Sequence, residues 1–97
     1  MQLYFIRHGQ SANNALWNAT GESGGRSYDP ELTEIGCSQA NLVAQFLRQG
    51  DPALTSRGTD PQNLTGFGIT HLYCSLMVRA ASTGHAIADA LDLPLHA

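Results

Sequence analysis

The run Leu3-Tyr4-Phe5-Ile6-Arg7-His8-Gly9-Gln10-Ser11, near the start of the 97-residue chain, decides the fold. Its first four residues are apolar, aromatic or β-branched without interruption, which predicts a strand buried on both faces. A cation, a histidine and a glycine follow at once. Open α/β sheets bind their ligands at the carboxyl ends of the strands. The sequence therefore predicts a strand over residues 3–6 with a ligand site at its end.

Two helices and a second strand are predicted further along. Thr33 has the side chain of a helix N-cap, and its helix ends at Gly50 and Pro52. A second helix begins near Met77 or Val78 and ends before Pro94. A strand is predicted over residues 68–74, and the polar, glycine-containing segments 18–30 and 51–66 are predicted as loops. The expected core consists of one stripe on each helix and three aromatic residues: Ala40, Val43, Ala44 and Leu47; Ala80, Thr83, Ile87, Ala90 and Leu91; and Tyr4, Phe5 and Phe46.

The order strand, helix, strand, helix predicts parallel strands joined by a crossover. The expected fold class is α/β, a three-layer α/β/α sandwich with a mostly parallel sheet. Two strands make a poor sheet, and a parallel sheet normally has helices on both faces. We therefore expect residues 1–97 to be the N-terminal part of a larger domain.

Composition restricts the partners. The formal charge is −3, there is no lysine, and the five cationic side chains are all arginines. This balance argues against nucleic acid or an anionic membrane as a partner, but two converging arginines still suit a small anionic substrate. The apolar run after Met1 is too short for a signal peptide or a membrane span, so we expect a cytoplasmic protein in which Cys37 and Cys74 stay reduced.

The residues after the two predicted strands suit phosphoryl transfer. If the strands are neighbours, His8 and Arg79 emerge at the same edge, beside the N-terminus of the second helix. Phosphoryl transfer mainly requires a positioned nucleophile and neutralisation of the negative charge on the phosphoryl oxygens. The planar guanidinium group of arginine is well shaped to bind these oxygens. We predict that His8 is the nucleophile and that Arg7 and Arg79 hold the phosphoryl group.

Three segments in order resemble the histidine phosphatase, or phosphoglycerate mutase-like, superfamily. Arg7-His8-Gly9-Gln10-Ser11 with Asn14 resembles its signature, and Leu32-Thr33 through Gly36 to Gln39-Ala40 is similar to its LTxxGxxQA helix. Ser75 through Arg79-Ala80 to Thr83 is similar to its SxxxRAxxT segment. The resemblance implies a phosphohistidine on His8, a hydrogen bond from Asn14 to the phosphoryl group, and no metal or organic cofactor. Gly9, Gln10 and Ser11 are expected to contact substrate, although Gln10 and Ser11 could instead cap the next segment, and Asn14 a turn.

The chain departs from the family pattern in two ways. The family's acidic general acid and second histidine have no counterpart here, since His85, His96, Asp89 and Asp92 lie in other contexts. We therefore expect the 97 residues alone to be impaired or inactive.

Several functions remain open at this stage. A phosphomonoester hydrolase is favoured over a phosphoglycerate mutase because the loop after Asn14 lacks a GWxD run. A non-catalytic phosphate-binding fragment is the third hypothesis.

The remaining histidines and Arg26 are assigned as follows. The four histidines do not have the spacing of zinc ligands. His71 is expected to be a strand residue without a chemical role, and Arg26 is either a substrate-facing residue or a solvated charge. The phosphorylated substrate and the oligomeric state are not specified.

Overall fold

The computed structural model describes residues 2–21, 24–50 and 66–97. The regular elements within these ranges are α1 (Ala12–Thr20), α2 (Glu34–Gln49), β1 (Leu72–Tyr73), α3 (Val78–Leu91) and β2 (Leu95–His96). The strands pair in parallel, with Leu72 opposite Leu95, and α3 connects them. The expected α/β class is confirmed as part of an α/β fold. No helix in the described ranges is long and apolar enough to cross a membrane.

Helix α2 forms as predicted. The Thr33 hydroxyl accepts the Gly36 N–H at 3.1 Å and caps the N-terminus. Glu34 in the first turn and Arg48 in the last turn both complement the helix dipole. At the other end Gly50, at φ 69°, takes a conformation that favours glycine. The predicted loop over residues 51–66 lies outside the described residues, except for Gly66.

Helix α3 also has the predicted bounds, but its cap is not local. Met77, the residue before the helix, makes no side-chain cap hydrogen bond. Instead, Oδ1 of Asp29, 49 residues earlier, accepts the Val78 N–H at 2.9 Å. The helix ends at Leu91, ahead of Pro94, with Asp92 in the left-handed region at φ 54°.

The core lies between α2 and α3. Ala40 and Ala44 are each 2% exposed, and their small side chains allow the helix backbones to approach closely. Leu47, Ile87 and Ala88 complete the buried apolar set. The predicted stripes are thus largely confirmed, although Ala88 was not among the expected residues. Partly buried side chains close the edges of this core: Val43, Phe67, Ile69, Leu72, Ala90 and Leu91.

The strand predicted over residues 3–6 is wrong. A strand requires hydrogen bonds to a neighbour, and none of the described strands pairs with this run. A cleft of about 930 Å³ is lined by this run and by residues 67–75. Phe5 is 91% exposed, so it is not a core residue. Tyr4 is half-buried and packs edge-on against Phe67, with ring centroids 5.6 Å apart.

Two further predictions are corrected, and one strand was not predicted. The loop expected from residue 18 begins later, because α1 continues to Thr20 and ends at Gly21, at φ 68°. The strand expected over residues 68–74 is only Leu72–Tyr73. Its parallel partner is the unpredicted β2, after α3, and the Cys74 N–H extends the pairing to the His96 carbonyl at 2.8 Å.

Candidate functional site

His8 is half-buried and held by its own backbone. Its Nδ1 lies 2.6 Å from the Gly9 carbonyl oxygen. Since a carbonyl can only accept, Nδ1 carries the proton in this contact. In the neutral ring, Nε2 then keeps its lone pair free for a reaction. The contact fixes both the tautomer and the orientation of the imidazole.

Gly9 and Gly36 bring two of the sequence motifs into backbone contact. A Cβ on Gly9 would overlap the Gly36 carbonyl oxygen and lie 2.9 Å from its carbon. A Cβ on Gly36 would overlap the Gln10 carbonyl in the same way. Only glycine at both positions lets the N-terminus of α2 lie against the turn that carries His8.

The start of α2 also binds Gln10 directly. The Thr33 N–H donates to the Gln10 carbonyl at 3.0 Å, and the Thr33 hydroxyl donates to Gln10 Oε1 at 2.7 Å. The Gln10 N–H donates to Gln39 Oε1 at 2.8 Å. Gln10 is therefore anchored at its carbonyl, amide and side chain, although it still forms part of the pocket wall.

Ser11 and Asn14 form a capping box for α1. The Asn14 N–H donates to Ser11 Oγ at 3.2 Å, and the Ser11 N–H donates to Asn14 Oδ1 at 3.0 Å. Ser11 is 2% exposed and does not line the pocket. Asn14 has one oxygen in the cap, while its side-chain N–H groups remain available as donors.

A pocket of about 910 Å³ opens at His8. Its described walls carry two cations, Arg7 and Arg26, and no carboxylate. A volume of this size is typical of small-molecule sites. The walls come from the His8 turn, α1, the loop before α2, α2 and α3: Arg7, His8, Gly9, Gln10, Asn13, Asn14, Trp17, Asn18, Arg26, Gln39, Ala40, Val43 and Thr83.

Arg79 lies in the first turn of α3 and does not line this pocket. It is linked to the His8 turn through Thr83, one helical turn later. The Thr83 hydroxyl donates to the Arg79 carbonyl at 2.8 Å and accepts the buried Gly9 N–H at 3.2 Å. These two hydrogen bonds connect the helix that carries Arg79 to Gly9, the residue after His8, although Arg79 is not a wall residue of the pocket.

The loop before α2 is held by hydrogen bonds to two other elements, α1 and α3. Nδ2 of Asn13 donates to the Ser27 carbonyl at 2.9 Å, and the Ser27 N–H donates to Asn13 Oδ1 at 2.9 Å. Two residues later, Asp29 caps α3. These ties hold Arg26, beside Ser27, at the pocket wall.

Seven wall residues were not predicted from the sequence to line the site: Asn13, Trp17, Asn18, Gln39, Ala40, Val43 and Thr83. For Asn13, Trp17 and Asn18 the sequence does contain a signal, the capping box, because a helix that starts at residue 12 puts residues 13, 14, 17 and 18 on one face.

The other histidines lie away from the pocket. His71 Nδ1 is 2.9 Å from the Thr70 hydroxyl, His85 faces Asp89 at 3.5 Å on the exposed side of α3, and His96 lies against Tyr73. In the part of the chain that the structure describes, no three His, Cys, Asp or Glu residues are grouped to hold a metal ion. Cys37 and Cys74 are free.

Comparison with known proteins gives one family. The model of the histidine phosphatase superfamily (branch 1) matches residues 3–59. Proteins named probable phosphoglycerate mutase GpmB, from Yersinia pestis (strain Pestoides F) and Yersinia pseudotuberculosis serotype O:3 (strain YPIII), are each 38% identical over 95 residues. The alignments cover 98% of this chain and 34% of those proteins, so the chain spans about a third of their length.

Proposed function

Because this chain belongs to the histidine phosphatase superfamily, we propose that His8 attacks the phosphorus of a phosphomonoester and that water later removes the phosphoryl group. The protein is then a phosphatase, and its substrate is a small phosphorylated compound. We extend the proposal to a cytoplasmic location, from the sequence features given above. The observation that carries the proposal is the contact between His8 Nδ1 and the Gly9 carbonyl.

That contact supports a nucleophile because it leaves Nε2 as the reactive atom. In the first step, the Nε2 lone pair forms a bond to phosphorus as the bond from phosphorus to the ester oxygen breaks. The leaving oxygen takes the electron pair and a proton from solvent. In the second step, a water oxygen bonds to phosphorus as the bond from phosphorus to Nε2 breaks. Nε2 recovers its lone pair, the water releases one proton to solvent, and inorganic phosphate leaves.

The charge of the pocket supports an anionic substrate. Arg7 is a wall residue, and no carboxylate among the described wall residues opposes it. We propose that Arg7 and the side-chain N–H groups of Asn14 donate to the phosphoryl oxygens. The Gly9 N–H is unsuited to this role, since it already donates to Thr83. Gln10 and Ser11 are proposed to support the site through their backbone and cap contacts rather than to touch substrate.

Arg79 is proposed as the second phosphoryl clamp. Its helix is fastened to the His8 turn through Thr83, and an arginine side chain is long and flexible. We propose that the Arg79 side chain turns towards the pocket when the anion binds. Loss of phosphate affinity in Arg79→Gln, measured by titration with inorganic phosphate, tests this role.

The covalent step is tested by labelling. The chain is incubated with an aryl phosphate radiolabelled in its phosphoryl group, whose good leaving group departs without an acid, and is then quenched in alkali. We expect label on the wild-type chain and none on His8→Ala. His85→Ala is the matched control, because its side chain is 73% exposed and outside the pocket. Equal labelling of His8→Ala would refute the proposal.

A mutase reaction is the second candidate, because the Yersinia relatives carry that name. In that case the phosphoryl group on His8 returns to a sugar acid instead of water. Incubation with phosphoglycerate separates the two, since isomer formation without phosphate release would favour the mutase. We expect slow turnover from the 97 residues alone. A third outcome, in which the chain binds phosphate but His8 takes no radiolabel, would favour a non-catalytic phosphate-binding module.

A further inference from the structure

Asp29 makes a contact with a distant part of the chain, and none of the three motifs contains it. Its Oδ1 accepts the Val78 N–H at 2.9 Å, 49 residues further along the sequence. Val78 is the first residue of α3, and Arg79 follows it directly. An exposed aspartate in a loop is by default a solvated charge. Three observations argue for a more specific role here.

First, the backbone around Asp29 is fixed. It lies within residues 27–31, a segment that we call the strap. The Asn13 side-chain amide forms two hydrogen bonds of 2.9 Å with the backbone of the first strap residue. At the other end, the Glu31 carbonyl accepts the Ala12 N–H, also at 2.9 Å. The Asp29 side chain therefore starts from a backbone that is held against α1.

Second, α3 is held at two points, and Arg79 lies between them. The strap holds Val78, and the Gly9 N–H donates to the Thr83 hydroxyl at 3.2 Å. Five residues separate the two points, which is about 7.5 Å along a helix axis. A helix that is held at one point can pivot about it, whereas two points fix the direction of that end. Both contacts therefore determine where the backbone of Arg79 lies relative to the His8 turn.

Third, Asp29 has the wrong charge to bind phosphate itself. A carboxylate that pointed into the pocket would repel an anionic substrate. Its hydrogen bond instead directs it to the N-terminus of α3, where the helix dipole favours a negative charge. A benefit of Asp29 to anion binding must therefore come through the position of another residue.

We propose that Asp29 is a positioning residue for Arg79. The strap sets the start of α3 against α1, and this places the Arg79 side chain where it can turn towards the phosphoryl group. The inference rests on the proposed function, because it takes Arg79 to bind that group. Asp29 touches no substrate and acts through the helix.

The test measures the affinity of the 97-residue chain for inorganic phosphate by calorimetric titration. Asp29→Ala should bind phosphate roughly fivefold more weakly, the factor that corresponds to the loss of one cap contact. Asp29→Asn keeps an acceptor oxygen and loses only the charge, so it should bind at least as tightly as the wild type. Asp89→Ala is the matched control, since it removes an acidic side chain that is 74% exposed on the same helix and outside the pocket. It should bind phosphate as the wild type does.

A second variant breaks the same contact from the other side. Val78→Pro removes the N–H that Asp29 accepts, and proline is favoured at the first position of a helix. Met77, at φ −67° and ψ 138°, already has the extended backbone that a following proline requires. Circular dichroism should therefore show an intact helix, while phosphate binds roughly fivefold more weakly, as in Asp29→Ala. Wild-type affinity in a folded Val78→Pro chain would overturn the inference.

The Arg79→Gln background separates positioning from a general loss of stability. If Asp29 acts through Arg79, adding Asp29→Ala to Arg79→Gln should not weaken phosphate binding further. A further loss as large as the one in the wild-type background overturns the inference.

The proposed function survives that result if Arg79→Gln alone weakens phosphate binding and His8 still takes the label. If Arg79→Gln binds phosphate as well as the wild type, the role of Arg79 fails together with the inference. Labelling of His8 then decides whether the covalent step stands without it.

Discussion

Gly36→Ala changes the stability of the chain through two effects of opposite sign, helix propensity and steric overlap. Alanine is the better helix former, by up to about 1 kcal/mol in a helix interior. Gly36 lies in the first turn of α2, so helix propensity alone predicts a chain that is slightly more stable. The contact with the His8 turn predicts the reverse.

The size of the steric effect follows from the backbone geometry. A Cβ added to Gly36 would overlap the carbonyl oxygen of Gln10 and would lie 2.9 Å from both the carbonyl carbon and the backbone nitrogen of Gln10. Ordinary van der Waals contact begins at 3.4 Å. Backbone atoms have no rotamer to change, so the turn must move by about 0.5 Å or more. Overpacking of this kind costs about 1–3 kcal/mol, and loosening the 3.0 Å hydrogen bond from the Thr33 N–H to Gln10 adds about 1 kcal/mol. The net expectation is a loss of about 2 kcal/mol.

Gly84→Ala is the matched control, because Gly84 lies inside α3 and gains the same propensity. There the added Cβ meets the flexible end of Leu95, at 3.0 and 3.2 Å, which a small side-chain rotation relieves. We expect the free energy of unfolding to change by less than about 1 kcal/mol. Urea unfolding followed by far-ultraviolet circular dichroism measures both variants. A Gly36→Ala chain as stable as Gly84→Ala would refute the reasoning.

Two further changes test the ties around the pocket. Thr83→Val keeps the side-chain shape but leaves the buried Gly9 N–H without its acceptor. We expect the free energy of unfolding to fall by about 1–3 kcal/mol and amide exchange at Gly9 to become faster. Thr83→Ser keeps the acceptor and should restore both the stability and the slow exchange. Unchanged exchange at Gly9 in the valine variant would contradict this assignment. Asp29→Ala removes the cap on the Val78 N–H and should cost about 1 kcal/mol in urea unfolding, while Asp29→Asn keeps an acceptor oxygen and should lose only a few tenths. Equal losses in the two Asp29 variants would show that charge, not the cap, matters.

Local signals in the sequence were sufficient for α2 and α3. Each helix has an apolar stripe at helical spacing and a stop signal, glycine after α2 and proline after α3. Helix α1 has no buried residue, so it produces no stripe to detect. Its sequence signal is the Ser11 and Asn14 pair, which also matches a substrate-binding signature, so the sequence leaves both roles open.

Strand positions were harder to predict because pairing is non-local. Residues 3–6 have the composition of a doubly covered strand, yet nothing in a local pattern states which segment lies beside it. The pair that does form, β1 with β2, joins segments on either side of α3 and has two residues in each strand. The same limit applies to the cap on α3, since no local pattern could connect Asp29 with Val78.

The site shows why motif residues need not all be chemical. Gly9 and Gly36 allow close backbone approach, and Thr83 accepts the Gly9 N–H. Their contacts build the turn that presents His8, so a match to the motifs is strong evidence for the fold but weaker evidence for each residue's role. The side chains that we propose for chemistry are wall residues for which the structure shows no internal side-chain contact that would occupy them. Arg7 and Arg26 meet that criterion equally, although only Arg7 belongs to a motif.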